Sequence, residues 1–354
     1  MMNFIKATKM KFLILILLLV VLSGCTDAKV SNQNVSSSSN LLKVHFLDVG
    51  QADSILIQFP NGETALIDGG NREDGGFVVG YIKKIGINKI NYIIATHPHE
   101  DHIGGLPEVI KNFDIGKVYM PNKTSNTKIF ENLLKEIKNK GLKITRAKGG
   151  LSIIDTDDLK FTIIAPNSEK YDETNEYSIV NKLIYKNTSF IFTGDAERDS
   201  EEEMIKLGYN LKADVLKVGH HGGRTSTNYE FLKRVNPRFA VISVGKDNDY
   251  GHPHKEVLER LNRMGIKVFR TDELGTIIAT SDGHKIDFNK DVAKNNNIVK
   301  NKKDNKIFYI GNKKTKVYHV PTCKSLPKQE NRVIFHSREE AEKAGYKPHK
   351  NCIE

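Results

Sequence analysis

An α/β fold of two β-sheets with helices on their outer faces is predicted by three observations. Runs of about four to eight residues rich in Val, Ile and Phe recur between residues 43 and 280. Segments with helical spacing of apolar residues are interleaved with them. His and Asp residues collect directly after several of the runs, where a strand would open into a loop. In chain order the candidate strands are 43–50, 53–60, 64–68, 91–97, 159–165, 178–185, 189–194, 214–219, 239–245, 267–270 and 276–280. The candidate helices are 76–86, 105–113, 128–140, 199–208, 229–235 and 254–264.

The strand 91–97 leads into Thr96-His97-Pro98-His99-Glu100-Asp101-His102, with three imidazoles and two carboxylates within six residues. This is the composition of a binuclear metal site, because His and Asp are preferred ligands of Zn²⁺ and similar divalent ions. His97 and His99, two apart on an extended turn, can face one metal. Asp101 and His102, at the start of the next helix, can face a second. Further donors follow the strands at Asp195 and at His220-His221. Neighbouring side chains on a strand point opposite ways, so only His220 or His221, not both, is expected to be a ligand. Residues 103–194 contain no histidine. No GxSxG elbow occurs and no cysteine lies in this core, which excludes the usual covalent nucleophiles.

The ends of the chain differ from this core. Residues 3–11 carry three lysines and no acid, and 12–22 is an unbroken apolar run of eleven. Such a run is too short for a bilayer core, which takes about 20 helical residues, and reads as the apolar part of a signal peptide. It ends in Leu22-Ser23-Gly24-Cys25, which resembles a bacterial lipobox. Residues 1–24 are therefore expected to be a lipoprotein signal, Cys25 the lipidated residue, and the polar stretch 25–41 a flexible tether. The expected location is the outer face of a bacterial cytoplasmic membrane, held there by the lipid. Residues 290–354 hold sixteen Lys and Arg against seven Asp and Glu, whereas 25–289 hold 35 against 36. The excess positive charge, and with it any attraction for a polyanion, is expected in the C-terminal part.

Leu66-Ile67-Asp68-Gly69-Gly70, the His array, Phe192-Thr193-Gly194-Asp195 and Gly219-His220-His221-Gly222 together resemble the metallo-β-lactamase superfamily of metal-dependent hydrolases. Phe46-Leu47-Asp48-Val49-Gly50-Gln51-Ala52-Asp53-Ser54, Val218 to Gly222 and Gly251-His252-Pro253-His254 resemble the hydrolase domain attached to the ComEC family of competence DNA-uptake channels. The likeness spans about residues 42–285, and the hydrolase domain is placed at 42–289. It implies a four-layer αβ/βα sandwich with the metals at the edge where the sheets meet. It implies two active-site divalent ions, Zn²⁺ or Mn²⁺ with Mg²⁺ open, bridged by Asp195. It gives Asp68 a supporting role behind the ligands. Asn175 and Ser178 stand where ComEC-like domains carry an Asn and Ser pattern instead of a third histidine, which leaves a water or oxygen ligand to complete the first metal. The chemical step is assigned to Asp101, at the cations, and to His252, as donor to the developing oxyanion or leaving group.

Beyond a basic linker at 290–306, the pairs His319/Cys323 and His349/Cys352 form two short ligand clusters, which make a closed tetrahedral zinc site. Residues 307–354 resemble the zinc-binding domain of the Ada DNA-repair protein. That family uses four cysteines and methylates the first; here the first and third positions are His319 and His349, so the fold and one structural Zn²⁺ carry over and methyl transfer does not. Lys313, Lys314, Lys316, Lys324 and Lys328 suit backbone phosphates.

These readings converge on a membrane-tethered, metal-dependent hydrolase, a phosphodiesterase or nuclease acting on DNA through a water activated by the cations. The alternatives are a cell-envelope phosphoesterase acting on teichoic acid or phosphorylcholine, and a DNA-capturing lipoprotein. The expected partners are DNA or another phosphodiester polyanion and the membrane, with nothing in the sequence calling for an obligate protein partner.

Overall fold

In the segment Ile55–Gln58, Ile55 and Ile57 enter one apolar cluster while Leu56 enters another. Thr64–Ile67 repeats the pattern, with Ala65 and Ile67 on one side and Leu66 on the other. A two-residue period with both faces apolar is what a strand covered on both sides requires. The computed structural model describes residues 40–291, 309–320, 323, 325–335, 338–350 and 352. Cys25, Lys324 and residues 292–306 of the linker lie outside them. The chain divides into two units, Met1–Val292 and Ala293–Glu354.

In the first unit the chain begins with β1 (Leu42–Phe46), β2 (Ile55–Gln58), β3 (Thr64–Ile67), β4 (Lys89–Ile94), β5 (Asp114–Met120) and β6 (Ile144–Arg146). A second half follows as β7 (Ser152–Asp155), β8 (Leu159–Ala165), β9 (Val180–Tyr185), β10 (Thr188–Phe192), β11 (Val215–Lys217), β12 (Phe239–Ile242) and β13 (Lys267–Arg270). Finally β14 (Ile277–Ser281) and β15 (Ile286–Phe288) return to the first sheet, whose order is β15-β14-β1-β2-β3-β4-β5-β6. The second sheet runs β13-β12-β11-β10-β9-β8-β7. Each sheet changes from antiparallel to parallel partway across, so that β3 to β6 and β10 to β13 are parallel sets.

The helices α1 (Gly75–Lys84), α2 (Glu100–Ile103), α3 (Leu106–Asn112) and α4 (Lys128–Asn139) belong to the first half. Val78, Ile82, Val109 and Leu133 from these helices pack with Leu56, Leu66 and Ile93 of the first sheet. The helices α5 (Arg198–Lys206), α6 (Tyr229–Val235), α7 (Lys255–Arg263) and α8 (Thr271–Leu274) follow in the second half. Met204, Phe231 and Leu261 pack there with Ile191, Leu216 and Ala240. Between the sheets, Val44, Phe46 and Ile57 of one meet Phe161, Phe190 and Phe192 of the other. Three apolar clusters thus separate four layers, the αβ/βα sandwich expected from the resemblance.

The strands β5, β6, β7 and β15 are absent from the sequence reading. β5 carries Gly116 and Lys117 in mid-strand, which hides its apolar alternation. Gly116 is there because a Cβ would come 2.4 Å from the carbonyl oxygen of Asn91 on β4.

The second unit has β16 (Tyr309–Asn312), β17 (Val317–His319), β18 (Arg332–Phe335) and β19 (Lys347–Pro348), ordered β18-β16-β17-β19, with α9 (Arg338–Lys343). Among the described residues its buried apolar cluster is Tyr318, Phe335, Ala341 and Tyr346. So small a core is marginal without a further constraint.

Candidate metal centre

Loops after the carboxyl ends of parallel strands are where open α/β sheets place their sites, and every donor in the first unit leaves the sheets this way. Asp68 follows β3; the array from His97 to His102 follows β4; Asp195 follows β10; His220 and His221 follow β11; His252 lies beyond β12. The β3 and β4 loops are held together at a glycine crossing. Gly105 N–H donates to the Gly70 carbonyl at 3.1 Å, and Gly69 N–H to the His102 carbonyl at 2.7 Å. A Cβ on Gly105 would lie 2.1 Å from the Gly69 oxygen, so no larger residue fits.

Around Asp195 the donors fall into two groups. His102 Nε2 lies 3.3 Å from Asp195 Oδ2 and 3.5 Å from Asp101 Oδ2. His221 Nε2 lies 3.1 Å from Asp101 Oδ2 and 3.7 Å from Asp195 Oδ1. Asp101, His102, Asp195 and His221 thereby form a set that could hold one ion. On the other side, His97 Nε2 is 3.0 Å from His99 Nδ1 and 4.0 Å from Asp195 Oδ2.

The chemistry of these groups fits divalent cations. His102 Nε2 and Asp195 Oδ1 are buried with no hydrogen-bond partner, which is costly unless an ion takes that place. Burial, reinforced by the neighbouring His102, holds the His97 imidazole well below its ordinary range and so neutral. Burial opposes the charge on Asp195, but His102 and His221 outweigh it and keep the carboxyl well below its usual range. Neutral imidazole and ionised carboxylate are the forms that bind a metal, and His102 and His221, which burial disfavours as cations but Asp195 and its neighbours hold protonated, would release a proton as the ion binds.

Behind the donors a second set of contacts fixes each ring, as supporting groups do in metal sites. Asp68 accepts from His102 Nδ1 at 2.8 Å and from Thr96 N–H and Oγ1 at 2.8 and 2.7 Å. Ser178 Oγ is 3.2 Å from His97 Nδ1 and accepts the Asp195 N–H at 3.1 Å. His221 Nδ1 donates to the Ser243 carbonyl at 3.0 Å, which leaves Nε2 free to face Asp101. Asn175 lies against His220 and donates to Glu197 at 3.1 Å.

The reading of His220 and His221 as strand neighbours with opposed side chains is corrected by the structure. β11 ends at Lys217, and both histidines have left-handed backbone, with φ of 49° and 52°. Strand alternation therefore does not apply to them. His220 is the more exposed of the two, with Nδ1 donating to Glu197 Oε1 at 2.7 Å.

Sequence reasoning missed a buried ion pair beneath the site. Lys217 Nζ lies 2.9 Å from Asp53 Oδ2, with both side chains inaccessible to solvent. Asp53 Oδ1 is 3.6 Å from His221 Nδ1, and the Asp53 backbone bonds to the Asp101 carbonyl and the Gly70 N–H. The signal was present: a lysine inside the apolar run 215–218 has no place in a covered parallel strand unless a carboxylate meets it. Lys217→Met leaves the Asp53 carboxylate buried alone and is expected to lower stability by about 3–5 kcal/mol. Urea unfolding measures this, and adding Asp53→Leu should restore most of the loss.

Two cavities adjoin the centre. His99 lines one of about 620 Å³ with Pro98, Lys123, Thr127 and Thr174. His252 lines another of about 410 Å³ with Lys246, Asn248 and Arg270. Both lie within the range that holds small ligands or parts of larger ones.

In the C-terminal unit, His319 Nδ1 is 3.4 Å from Cys323 Sγ, which is 3.6 Å from His349 Nδ1. His349 Nδ1 is 3.3 Å from Cys352 Sγ, and Cys352 Sγ is 3.9 Å from His319 Nδ1. A tetrahedral zinc with ordinary Zn–S and Zn–N bonds has N···S edges of about 3.5 Å. The four donors fit that ion, and both thiols are free to bind it. Lys313, Lys314, Lys316 and Lys328 are exposed, with Lys316 Nζ 4.7 Å from the centre of the Tyr346 ring.

Fold and site together define a metal-dependent hydrolase. The chain belongs to the metallo-β-lactamase superfamily, whose family model matches residues 47–246. A second model, the metal binding domain of Ada, matches residues 295–354 and accounts for the C-terminal zinc site. The chain is 33% identical over 252 residues to ComE operon protein 3 of Bacillus subtilis, covering 66% of this chain and 32% of that protein. It is 27% identical over 249 residues to competence protein ComA of Neisseria gonorrhoeae, covering 70% and 33%. The chain thus spans about a third of the length of these curated relatives. Among solved structures it is similar to Igni18, a metallo hydrolase from Ignicoccus hospitalis, at 17% identity and a TM-score of 0.45, covering 67% of this chain and 98% of that one.

Proposed function

We propose that the protein is an exported, lipid-anchored phosphodiesterase that cleaves DNA outside the cytoplasmic membrane. The observation that carries this reading is Asp195, whose carboxylate stands between the two donor groups, with Oδ2 facing both His97 and His102 and Oδ1 facing His221, as a bridge between two cations needs. A pair of divalent cations supplies Lewis acidity at a phosphoryl oxygen and a nucleophile from water at neutral pH. His97, His99, Asp101, His102, Asp195 and His221 would hold that pair, while Asp68 and Ser178 keep the rings in register.

His252 is set up to donate a proton. Gly245 N–H bonds to Gln51 Oε1 at 3.1 Å, which turns the Gln51 amide nitrogen toward His252 Nδ1 at 3.3 Å. Nδ1 is then the acceptor and the ring proton sits on Nε2. Burial, with His220 and His221 nearby, lowers the His252 pKa to about 4, so the ring is neutral at physiological pH. A neutral Nε2–H is a donor for a phosphoryl oxygen or a leaving alkoxide.

DNA as substrate is supported by the excess positive charge of residues 290–354 and by a relative that is itself named a competence protein. The deciding experiment compares single- and double-stranded DNA, RNA, teichoic acid and a simple phosphodiester with added Mn²⁺, Mg²⁺ or Zn²⁺. Metal-stimulated DNA cleavage is expected. Hydrolysis of teichoic acid alone would select the cell-envelope reading, and tight DNA binding with no hydrolysis would select the capture reading.

The charged module gives a separate prediction. Removing residues 290–354 should weaken DNA binding and flatten its salt dependence, because fewer counterions are released. An unchanged slope of log affinity against log salt excludes the module from binding.

Among the described residues no helix is long and apolar enough to cross a membrane. Attachment is assigned to Cys25. Cys25→Ala is expected to leave a larger, unprocessed precursor on a denaturing gel, and identical processing of the variant would end this assignment.

A further inference from the structure

We propose that His220 supplies the third protein nitrogen to the first metal, in place of the histidine that residues 103–194 lack. The assignment rests on the two-cation reading above and settles how its weaker half is completed. On the side of Asp101, two imidazoles and two carboxylates converge. On the other side His97 faces Asp195 Oδ2 and His99 faces His97 Nε2, with one position still to fill.

Consecutive residues seldom aim at one centre, and the backbone at 220–221 is what permits it here. His220 (φ 49°, ψ 47°) and His221 (φ 52°, ψ 22°) both occupy the left-handed region, which residues with a Cβ rarely adopt. The turn sends His221 Nε2 to within 3.7 Å of Asp195 Oδ1, and His220 Nε2 to within 3.8 Å of Asp195 Oδ2. His220 meets Asp195 Oδ2 as His97 does, while His221 meets Asp101 Oδ2 as His102 does, so the strained pair serves both halves of the centre.

The tautomer agrees. His220 Nδ1–H donates to Glu197 Oε1 at 2.7 Å, which leaves the Nε2 lone pair pointing at Asp195. His102 with Asp68, and His221 with the Ser243 carbonyl, are built the same way. A carboxylate behind an imidazole whose other nitrogen faces the metal position is the usual support for a metal-binding histidine. The rival for the position is Asn175, whose Oδ1 is buried without a partner and whose Nδ2 lies 3.5 Å from His220 Nε2. Four groups, His97, His99, His220 and Asp195, then hold the first ion, and Asp101, His102, His221 and Asp195 the second. A first site with three imidazoles favours Zn²⁺ or Mn²⁺ over Mg²⁺.

The test counts metal and needs no substrate. Full-length protein, stripped and reloaded with Zn²⁺, is measured for metal per chain, and reloading the active site with Mn²⁺ gives the spin-coupled resonance of a close metal pair. Wild type should hold three zinc ions, one of them in the C-terminal module, and show the coupled signal. His220→Ala should hold two and lose the coupling. Glu197→Gln, which keeps the shape of the side chain, should weaken one active-site ion by about 10- to 100-fold, and Asn175→Ala should retain all three. Circular dichroism checks that each variant is folded. If His220→Ala keeps both active-site ions at wild-type affinity, or if Asn175→Ala loses one while His220→Ala does not, the assignment is overturned and the two-cation reading survives. Wild type holding a single ion outside the C-terminal module would overturn both.

Discussion

Asp195→Ala is expected to lower phosphodiester hydrolysis by several orders of magnitude while leaving the C-terminal zinc bound. Its carboxylate meets His97 and His102 from the first sheet through Oδ2 and His221 from the second through Oδ1, and no neighbouring carboxylate can replace all of these contacts. Without it, two cations would repel one another across a buried space, and they could not be held close enough to act on one water. The comparison that gives the result meaning is His252→Ala. That change removes a donor outside both donor groups and should cost about 10²- to 10³-fold in turnover with metal content unchanged. Turnover and metal stoichiometry measured on the same samples separate the two roles. Wild-type turnover by Asp195→Ala on every phosphodiester tested would refute the binuclear mechanism.

The second large effect belongs to the C-terminal unit. Among the described residues its buried apolar cluster is four side chains, too few to offset the ordering of about 45 residues. Zinc bound by two thiolates and two imidazoles contributes apparent folding free energy of about 10–16 kcal/mol in small zinc modules. Cys352→Ala, or a chelator strong enough to remove the ion, should therefore unfold this unit. The expected signature is rapid proteolysis after residue 306 with the first unit left intact and melting as before. A module that stays protease-resistant after verified loss of zinc would show that Tyr318, Phe335 and Tyr346 suffice by themselves.

What the sequence disclosed follows from how local each feature is. The His array is contiguous, so its metal chemistry is visible in six residues, and Asp195 is marked by the glycine turn in front of it. β2 and β3 are legible because their alternation is uninterrupted. β5 was hidden by Gly116, whose reason is a backbone carbonyl on another strand. The Asp53–Lys217 pair joins positions 164 residues apart, and only the odd lysine in an apolar run hinted at it. His220 and His221 were misjudged for a different reason. Their orientation depends on two positive φ angles that residue type does not favour, held by surroundings rather than by local preference.

The division of the donors between the two halves of the first unit has a temporal consequence. His97, His99, Asp101 and His102 come from the first sheet, and Asp195, His220 and His221 from the second, with roughly ninety residues and six strands between them. Neither half alone assembles the full donor set. Contacts of such long range form late, because the intervening chain must be closed first. A newly made or unfolded chain is therefore silent, and hydrolytic power arrives in one step when the halves dock. Any ion bound across the seam then acts as a latch, so depleting metal should lower the melting point of the whole unit rather than merely stop its chemistry.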